Sequence, residues 1–260
     1  MQYSYHVHST YSDGKKSIED IVISAKYLKL DEIGISDHLL VSPDGEKTHW
    51  AMGIDHLDSY ISEISKMSKY LNFPIKIGLE VDYFEENVFQ IFEKIEKMPF
   101  DYIIGSVHFV DGHIIDFKKE ELPKNFSSEL IKKYWILVKK MAETKKFDIV
   151  GHLDITKKFD IYPSENISNE IENALNAIKE NDLAVELNTS GWYCPCCEQY
   201  PSKDILEKCK NKNIPIIITS DAHEPKDLIR DFEKAKKLLK NIGYTKQVNF
   251  EKRQRKFVDL

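Results

Sequence analysis

Six of the nine histidines lie in short segments of a kind that binds divalent metal ions. His6 and His8 are two residues apart in YHVHS, and in a strand this spacing directs both side chains to the same face. Asp221 and His223 repeat the spacing in SDAH. Imidazole and carboxylate ligands without an obligatory thiolate suit Zn²⁺, Mn²⁺ or Fe²⁺. The candidate ligands are His6, His8, Asp13, His38, Glu80, His108, His152, Asp221 and His223.

The number of candidate ligands indicates more than one metal ion. A catalytic zinc ion takes about three protein ligands and keeps one position open. Nine candidates are enough for two or three divalent ions. Glu80 is the most natural carboxylate to bridge two of them.

Short apolar runs alternate with longer amphipathic segments, which predicts seven βα units in a row. Such units imply parallel strands joined by right-handed crossovers. The architecture is then either a barrel one unit short of the eight-stranded form or an open doubly wound sheet. The predicted strands are 3–9, 31–38, 75–83, 101–110, 147–153, 183–189 and 214–220, and the predicted helices are 17–30, 55–71, 86–98, 127–146, 164–181, 202–212 and 227–242.

The same six histidines lie in or just after predicted strands, toward the carboxyl ends. In parallel α/β folds these ends meet at one rim, so we expect the candidate ligands to lie together there. An insert at 39–54 is long for a βα loop and is predicted to be a lid. Residues 110–117 read as a small hairpin, and the polar tail 245–260 as a solvated edge strand or frayed end.

Composition excludes several classes of protein. A hydrophobic fraction of 42% and a charged fraction of 31% are typical of a soluble globular chain without a membrane span. The first residues have no signal-peptide pattern, so we expect a cytoplasmic protein. The net charge of −6 argues against a broad nucleic-acid surface. Only three arginines are present, so lysine must make most contacts with anions, and nothing in the composition indicates an oligomeric state.

The segment CPCC, residues 194–197, places three thiols in four positions. A structural zinc site normally needs a second CxxC pair, which this chain lacks. A closed thiolate site would require Cys209, about a dozen residues further on, to fold back. We therefore predict that Cys194, Cys196 and Cys197 are loop thiols and do not bind the metal.

Eight segments together resemble the histidinol-phosphatase branch of the PHP (polymerase and histidinol phosphatase) superfamily. They are HVHSTYSDG, ISDHL, GLEVDYF, GSVHF, GHLD, ELNTSG, YPSKDIL and TSDAH, and they span about residues 3–242. The resemblance implies an α/β fold, a distorted (β/α)7 barrel with a trinuclear metal centre at the C-terminal rim of the strands. It also implies one domain over residues 1–260. The implied ligands are His6, His8, Glu80 and Asp221 for one ion, His38 and His223 with Asp13 or water for another, and Glu80, His108 and His152 for the third.

The implied activity is metal-dependent hydrolysis of L-histidinol phosphate to L-histidinol and phosphate, in histidine biosynthesis. Clustered divalent ions suit this reaction, because they neutralise phosphoryl oxygens and supply hydroxide at neutral pH. The expected nucleophile is a metal-bound hydroxide held by Glu80, Asp221 and His223. The expected substrate contacts are Lys157, Lys158, Asn188 and Ser106.

Two alternatives stay open. One is a PHP-type phosphoesterase that acts on another small phosphate ester or a nucleotide. The other is a non-catalytic metal-binding or nucleic-acid-associated module. In the family a basic residue often follows NTSG, and this chain has Trp192 there, which leaves the exact substrate open.

Overall fold

Parallel strands form the centre of the computed structural model, which describes residues 2–116, 119–122 and 128–260. Seven of them pair side by side in the order β1-β2-β4-β5-β8-β9-β10. The short strand β3 (His38–Leu39) continues β2 and pairs with β4. The seven strands are β1 (Tyr3–Ser4), β2 (Glu32–Ile35), β4 (Ile75–Asp82), β5 (Tyr102–Ser106), β8 (Ile149–Val150), β9 (Ala184–Asn188) and β10 (Ile216–Thr219).

The helices pack around the strands with their apolar faces inward. In α1, Ile18, Ile21 and Val22 are buried, and the hydroxyl of Ser17 accepts a hydrogen bond from the amide of Asp20 to cap the first turn. The α-helices in the described residues are α1 (Ile18–Tyr27), α2 (Leu57–Tyr70), α3 (Val88–Ile95), α4 (Ser128–Glu143), α5 (Ser168–Glu180), α6 (Lys203–Asn211) and α7 (Phe232–Ile242). The predicted strands and helices are all present, with bounds shifted by a few residues. Residue 127, the predicted start of the fourth helix, lies outside the described residues.

The first and last strands of the series meet and nearly close the barrel. Val7 and Ala222 form a parallel bridge beyond the ends of β1 and β10. The amide of His8 donates to the carbonyl of Ala222 at 2.9 Å, and the amide of Ala222 donates to the carbonyl of His6 at 3.0 Å. The prediction of a seven-stranded barrel is confirmed, and the open sheet is excluded.

A C-terminal hairpin covers the amino-terminal end of the barrel. It consists of β11 (Lys246–Glu251) and β12 (Gln254–Asp259). Val248 and Phe250 are buried against interior side chains, and the hydroxyl of Tyr3 donates to the carbonyl of Val248 at 2.6 Å. The prediction of a solvated edge strand or frayed end is therefore wrong for β11, whose four central residues are buried at the barrel floor, while β12 is mostly exposed.

The two inserts both lie near the opposite end of the barrel. The 39–54 insert is tied back to β3, where the amide of Met52 donates to the carbonyl of His38 at 3.0 Å. The predicted hairpin is present as β6 (Phe109–Val110) and β7 (His113–Ile114), while its predicted last residue, 117, lies outside the described residues. Within the described part of the chain, every helix is too short or too polar to cross a membrane.

Candidate metal centre

The nine predicted ligands lie together at the carboxyl ends of the strands. Glu80 is in β4, and His38 begins β3 directly beside it. The other seven lie in the segments that follow β1, β5, β8 and β10, where the chain has left the strand ladder and turns over the rim. The barrel therefore brings together residues that are up to 217 positions apart in sequence, from His6 to His223.

The carboxylate of Glu80 lies at the centre of this group. Its Oε2 is 2.9 Å from His38 Nδ1 and 3.1 Å from His6 Nε2. Its Oε1 is 2.9 Å from His152 Nε2 and 3.8 Å from His108 Nε2. Glu80 is fully buried and faces imidazole nitrogens with both oxygens, which is the arrangement of a bridging carboxylate.

Asp221 and Asp13 complete the group on the side of β10. Asp221 Oδ1 is 3.2 Å from His8 Nε2 and 3.6 Å from His6 Nε2. Asp13 Oδ2 is 3.0 Å from His223 Nε2. Among the described residues, four groups of side chains could each hold a metal ion, because the ligand atoms within a group all lie within 4.8 Å of one another. The groups are His8, Asp13, His38 and His223; His6, His8 and Glu80; His38, Asp82 and His108; and Glu80, His108 and His152.

Several of these atoms are buried and lie only 2.9–3.2 Å from another nitrogen or oxygen, yet none of them makes a hydrogen bond of suitable geometry. They include His6 Nε2, His8 Nε2, His38 Nδ1 and Glu80 Oε2. Buried polar atoms in folded proteins are normally hydrogen-bonded, so convergent unsatisfied nitrogens and oxygens point to a cation between them. The donor set fits divalent ions.

The charges of the cluster shift its pKa values strongly. Burial alone would raise the pKa of Glu80, but the nearby imidazoles of His38 and His6 hold it well below its usual range. Burial and the neighbouring rings of His223 and His38 lower the pKa of His8 to about 3, so this side chain is neutral and ready to bind a metal. A carboxylate and a neutral imidazole at pH 7 are the forms that bind divalent ions.

Two further carboxylates orient the ligand rings. Glu186 Oε1 lies 2.7 Å from His6 Nδ1, and Asp82 Oδ1 lies 2.7 Å from His108 Nδ1. Each contact directs the other ring nitrogen, Nε2, toward Glu80. No motif assigned these roles, although a charged residue in a buried strand such as AVELN was a usable signal.

The loop that carries Asp13 is held by Asp37. The amides and hydroxyls of Ser9 and Ser12 all donate to the Asp37 carboxylate, at 2.5 to 3.1 Å. Gly14 packs so tightly that an added Cβ would meet the carbonyl oxygen of His8 at 2.3 Å. The loop geometry thus depends on residues that are not themselves ligands.

A cleft of about 340 Å³ opens over the candidate ligands. Two cations line it, each paired with an acid. Lys158 Nζ is 3.5 Å from Asp116 Oδ2, and Arg230 Nη1 is 3.0 Å from Asp227 Oδ1. The guanidinium of Arg230 also lies over the ring of Tyr193, with 4.4 Å to its centroid. Arg230 follows the last barrel strand in a stretch without any motif, and the sequence predicted no role for it.

Of the four predicted substrate contacts, only Lys158 lines the cleft. Lys157 is buried and turned away, with its ammonium 2.6 Å from Glu198 Oε2 and 2.9 Å from the carbonyl of Gln199. Lys157 is the last residue of the 3-10 turn Ile155–Lys157, and Lys158 follows it directly. Consecutive side chains at such a turn point in different directions, so only Lys158 faces the cleft.

Ser106 and Asn188 are also buried away from the cleft surface. The hydroxyl of Ser106 donates to Glu80 Oε1 at 2.5 Å. The amide of Asn188 lies 3.3 Å from Glu186 Oε2 and 3.5 Å from Asp221 Oδ2. Both side chains contact acids of the cluster and lie outside the cleft lining, so the structure does not bring them to the cleft surface with Lys158.

Cys194 lines the cleft over the candidate ligands, whereas the other three cysteines are not part of its lining. Cys209 is buried in α6, and Cys197 is exposed. In the part of the chain that the structure describes, none of the groups able to hold a metal ion includes a cysteine.

A parallel barrel with a buried histidine and carboxylate cluster at its carboxyl rim defines a class of protein, the metal-dependent hydrolases of α/β-barrel fold. The comparison with known families names the family within this class. The model of the PHP domain matches residues 4–190. The chain therefore belongs to the PHP domain family.

Relatives of this chain include named phosphatases. A protein of Deinococcus radiodurans named "Probable histidinol-phosphatase" is 30% identical over 219 residues, which cover 82% of this chain and 83% of that protein. The histidinol-phosphatase of Lactococcus lactis is 26% identical and covers 95% of this chain and 93% of that protein.

Solved structures share the fold. The crystal structure of histidinol phosphate phosphatase from Lactococcus lactis, complexed with Zn, L-histidinol and phosphate, has a TM-score of 0.82 at 24% identity and covers 98% of each chain. A crystal structure from Listeria monocytogenes described as a "putative histidinol phosphatase" has a TM-score of 0.78 at 24% identity and covers 90% of this chain and 99% of that one.

Proposed function

We propose that this protein is a divalent-metal-dependent phosphomonoesterase that hydrolyses L-histidinol phosphate to L-histidinol and phosphate. The observation that carries the proposal is the buried carboxylate of Glu80, which faces imidazole nitrogens with both oxygens while several of the facing atoms lack a hydrogen bond. The names of the relatives from Deinococcus radiodurans and Lactococcus lactis support the choice of substrate.

The cluster is proposed to hold two or three divalent ions of zinc, manganese or iron. Glu80 would bridge two of them, since its oxygens face different histidines. The nine predicted ligands supply about three protein atoms for each ion, as catalytic sites of this kind require. The proposed ligands are His6, His8, Asp13, His38, Glu80, His108, His152, Asp221 and His223.

Bound divalent ions would neutralise the phosphoryl oxygens and lower the pKa of water, the two requirements for attack on a phosphate dianion at neutral pH. The protein's own part is to position the reactants. Asp221 and His223 line the cleft, and Glu80 lies beneath it against His38 and His152, so the three side chains are placed to position the attacking water. Lys158 and Arg230 line the wall, where they can bind phosphate oxygens.

The charges of the cleft match the charges of L-histidinol phosphate. This substrate carries a phosphate dianion, a protonated amine and an imidazole. The two cations of the wall suit the phosphate, and their partners Asp116 and Asp227 suit the ammonium group. Trp50 of the 39–54 insert lies edge-on against His38, at 5.0 Å between ring centroids, so this insert is placed to act as a lid.

A substrate panel tests the proposal. Purified protein is stripped of metal, reloaded with zinc or manganese, and assayed on L-histidinol phosphate, p-nitrophenyl phosphate and a set of nucleotides. We expect metal-dependent phosphate release, with the highest kcat/KM on L-histidinol phosphate. Equal or better turnover of another ester would defeat the substrate assignment and favour another PHP phosphoesterase. A gel shift with nucleic acid and no phosphate release would favour the non-catalytic module.

A ligand variant tests the site itself. His8→Ala should lose bound metal and several orders of magnitude in rate, because both ring nitrogens of His8 face carboxylates of the cluster. His56→Ala is the matched control, since His56 is exposed and lies outside the cleft. Wild-type turnover in His8→Ala would contradict the assignment.

We also propose that residues 1–260 work as one barrel domain, because β1 and the C-terminal hairpin contact each other at the barrel floor. A cytoplasmic location is proposed from the four unpaired cysteines, which are typical of a reducing compartment.

A further inference from the structure

The CPCC segment forms a tight turn at the edge of the proposed active-site cleft. The amide of Cys197 donates to the carbonyl of Cys194 at 2.8 Å, which is the hydrogen bond of a β-turn. The first and last Cα atoms of a β-turn lie within about 7 Å, and a disulfide needs roughly 4.4–6.8 Å between its Cα atoms. The Cα separation of a β-turn therefore overlaps the range that a Cys194–Cys197 disulfide requires.

The four cysteines differ in their ability to react. Cys197 is exposed, and Cys194 is partly buried and lines the cleft. The thiol of Cys196 points inward, 3.6 Å from the carbonyls of Gly191 and Glu198. Cys209 is buried in α6. An oxidant in solution therefore meets Cys197 first, and Cys194 is the cysteine at CxxC spacing from it in the same turn.

A chain of contacts links Cys194 to the acids of the metal cluster. Its thiol lies 3.7 Å from the carbonyl oxygen of Ser190. The amide and hydroxyl of Ser190 both donate to Asn188 Oδ1, at 3.0 and 2.7 Å. The amide of Asn188 in turn contacts Glu186 and Asp221. A change in the position of Cys194 therefore reaches both an orienting carboxylate and a proposed ligand.

We propose that Cys194 and Cys197 form a reversible disulfide that reshapes the cleft wall and lowers the hydrolytic activity. The activity readout rests on the proposed phosphatase function, while the disulfide itself does not. The oxidant is a peroxide. The thiolate of Cys197 attacks one peroxide oxygen, the O–O bond breaks, and a sulfenic acid forms as hydroxide leaves and takes up a proton from the solvent to become water. The thiol of Cys194 then attacks the sulfenic sulfur, the S–S bond forms, and a second water leaves, so that two electrons pass from the thiols to the peroxide.

The experiment uses the full-length, zinc-loaded protein, because zinc has no redox chemistry of its own. Reduced protein is treated with hydrogen peroxide, digested and mapped by mass spectrometry, and its kcat/KM on p-nitrophenyl phosphate is measured before and after dithiothreitol. We expect a Cys194–Cys197 crosslink, a fall in kcat/KM of about tenfold, since displacing a positioning group by ~1 Å can cost up to ~100-fold, and recovery on reduction.

Two serine variants give the control. Cys197→Ser should keep the basal activity, because Cys197 is not part of the cleft, and should neither crosslink nor lose activity with peroxide. Cys209→Ser should respond like the wild type. A map without the Cys194–Cys197 crosslink, a crosslink without loss of activity, or equal inactivation of Cys197→Ser would each overturn the proposal. Because the map needs no phosphatase substrate, failure of the proposed function and failure of the disulfide can be told apart.

Discussion

Replacing Glu186, which contacts His6, should weaken zinc binding and lower the activity, although no sequence motif assigns a role to Glu186. Three donors face the two oxygens of Glu186: the ring of His6 at 2.7 Å, the backbone amide of His152 at 2.9 Å and the side-chain amide of Asn188 at 3.3 Å. Glu186→Gln keeps the shape but replaces one acceptor oxygen with an NH₂ donor. Either the amide of His152 then loses its acceptor, or His6 must carry its proton on Nε2, the atom that faces Glu80.

The expected magnitude follows from what such carboxylates contribute elsewhere. Removing a group that orients a metal-binding histidine typically costs about 10- to 100-fold in metal affinity or activity, or ~1.4–2.8 kcal/mol. Glu186 contacts the ring of one proposed ligand, His6, and the backbone amide of a second, His152. We therefore expect a loss in the upper half of that range.

Chelator-competition titration of zinc measures the affinity, and kcat/KM on L-histidinol phosphate measures the activity. Glu93→Gln, at an exposed position in α3, is the matched control and should change neither quantity by more than about twofold, as is usual for surface substitutions. If Glu186→Gln binds zinc as tightly as the control, the proposed orienting role is refuted.

Three further predictions concern the cleft, the floor and the protons of the cluster. Lys158→Met should raise KM for the phosphate ester about tenfold, because a charge-assisted hydrogen bond is lost. Lys157→Met should leave KM unchanged and lower the free energy of unfolding by about 3 kcal/mol in urea titrations, because it breaks a buried ion pair. A raised KM in Lys157→Met with an unchanged KM in Lys158→Met would contradict the cleft geometry. Phe250→Ala should cost ~3–5 kcal/mol of stability, and a loss under ~1 kcal/mol would show that the hairpin does not seal the barrel. Burial lowers the pKa of His108 and His223, but the carboxylates beside them outweigh it and raise the two pKa values to about 10 and about 9. The metal-free protein therefore holds both protons at pH 7.5. The stability they provide is complete below about pH 6.5 and is lost as the pH rises through 9 to 10. Calorimetry of zinc binding in buffers of different ionisation enthalpy should show proton release, and binding without it would contradict these pKa values.

The alternation of strands and helices was predictable because the local hydrophobic periodicity of each segment indicates its secondary structure. The strand ends were less predictable. The run 147–153 reads as one strand, but only Ile149–Val150 pairs in the sheet. The amide of His152 leaves the ladder and donates to Glu186 instead, which turns the imidazole toward Glu80. The hydrogen bond from His152 to Glu186 thus replaces a ladder bond at the end of the strand, and no local sequence pattern predicts this contact.

The candidate ligands were predictable because each lies in a short motif at the end of a strand. The groups around them were not. Arg230 reaches the cleft from a segment without a motif, and Glu186 meets His6 from 180 positions away. The two neighbouring lysines show the same limit, because the path of a 3-10 turn decides that Lys158 and not Lys157 faces the cleft. Such contacts depend on tertiary geometry, as does the burial of the C-terminal hairpin.

Anomalous scattering from zinc-soaked crystals would locate the metal ions bound by Glu80 and the histidines. We expect at least two adjacent zinc peaks at the carboxyl rim, both within ~2.0–2.2 Å of a Glu80 oxygen, with imidazole nitrogens completing each shell. A rim without peaks after zinc soaking, or peaks bound by the cysteines instead, would contradict this expectation.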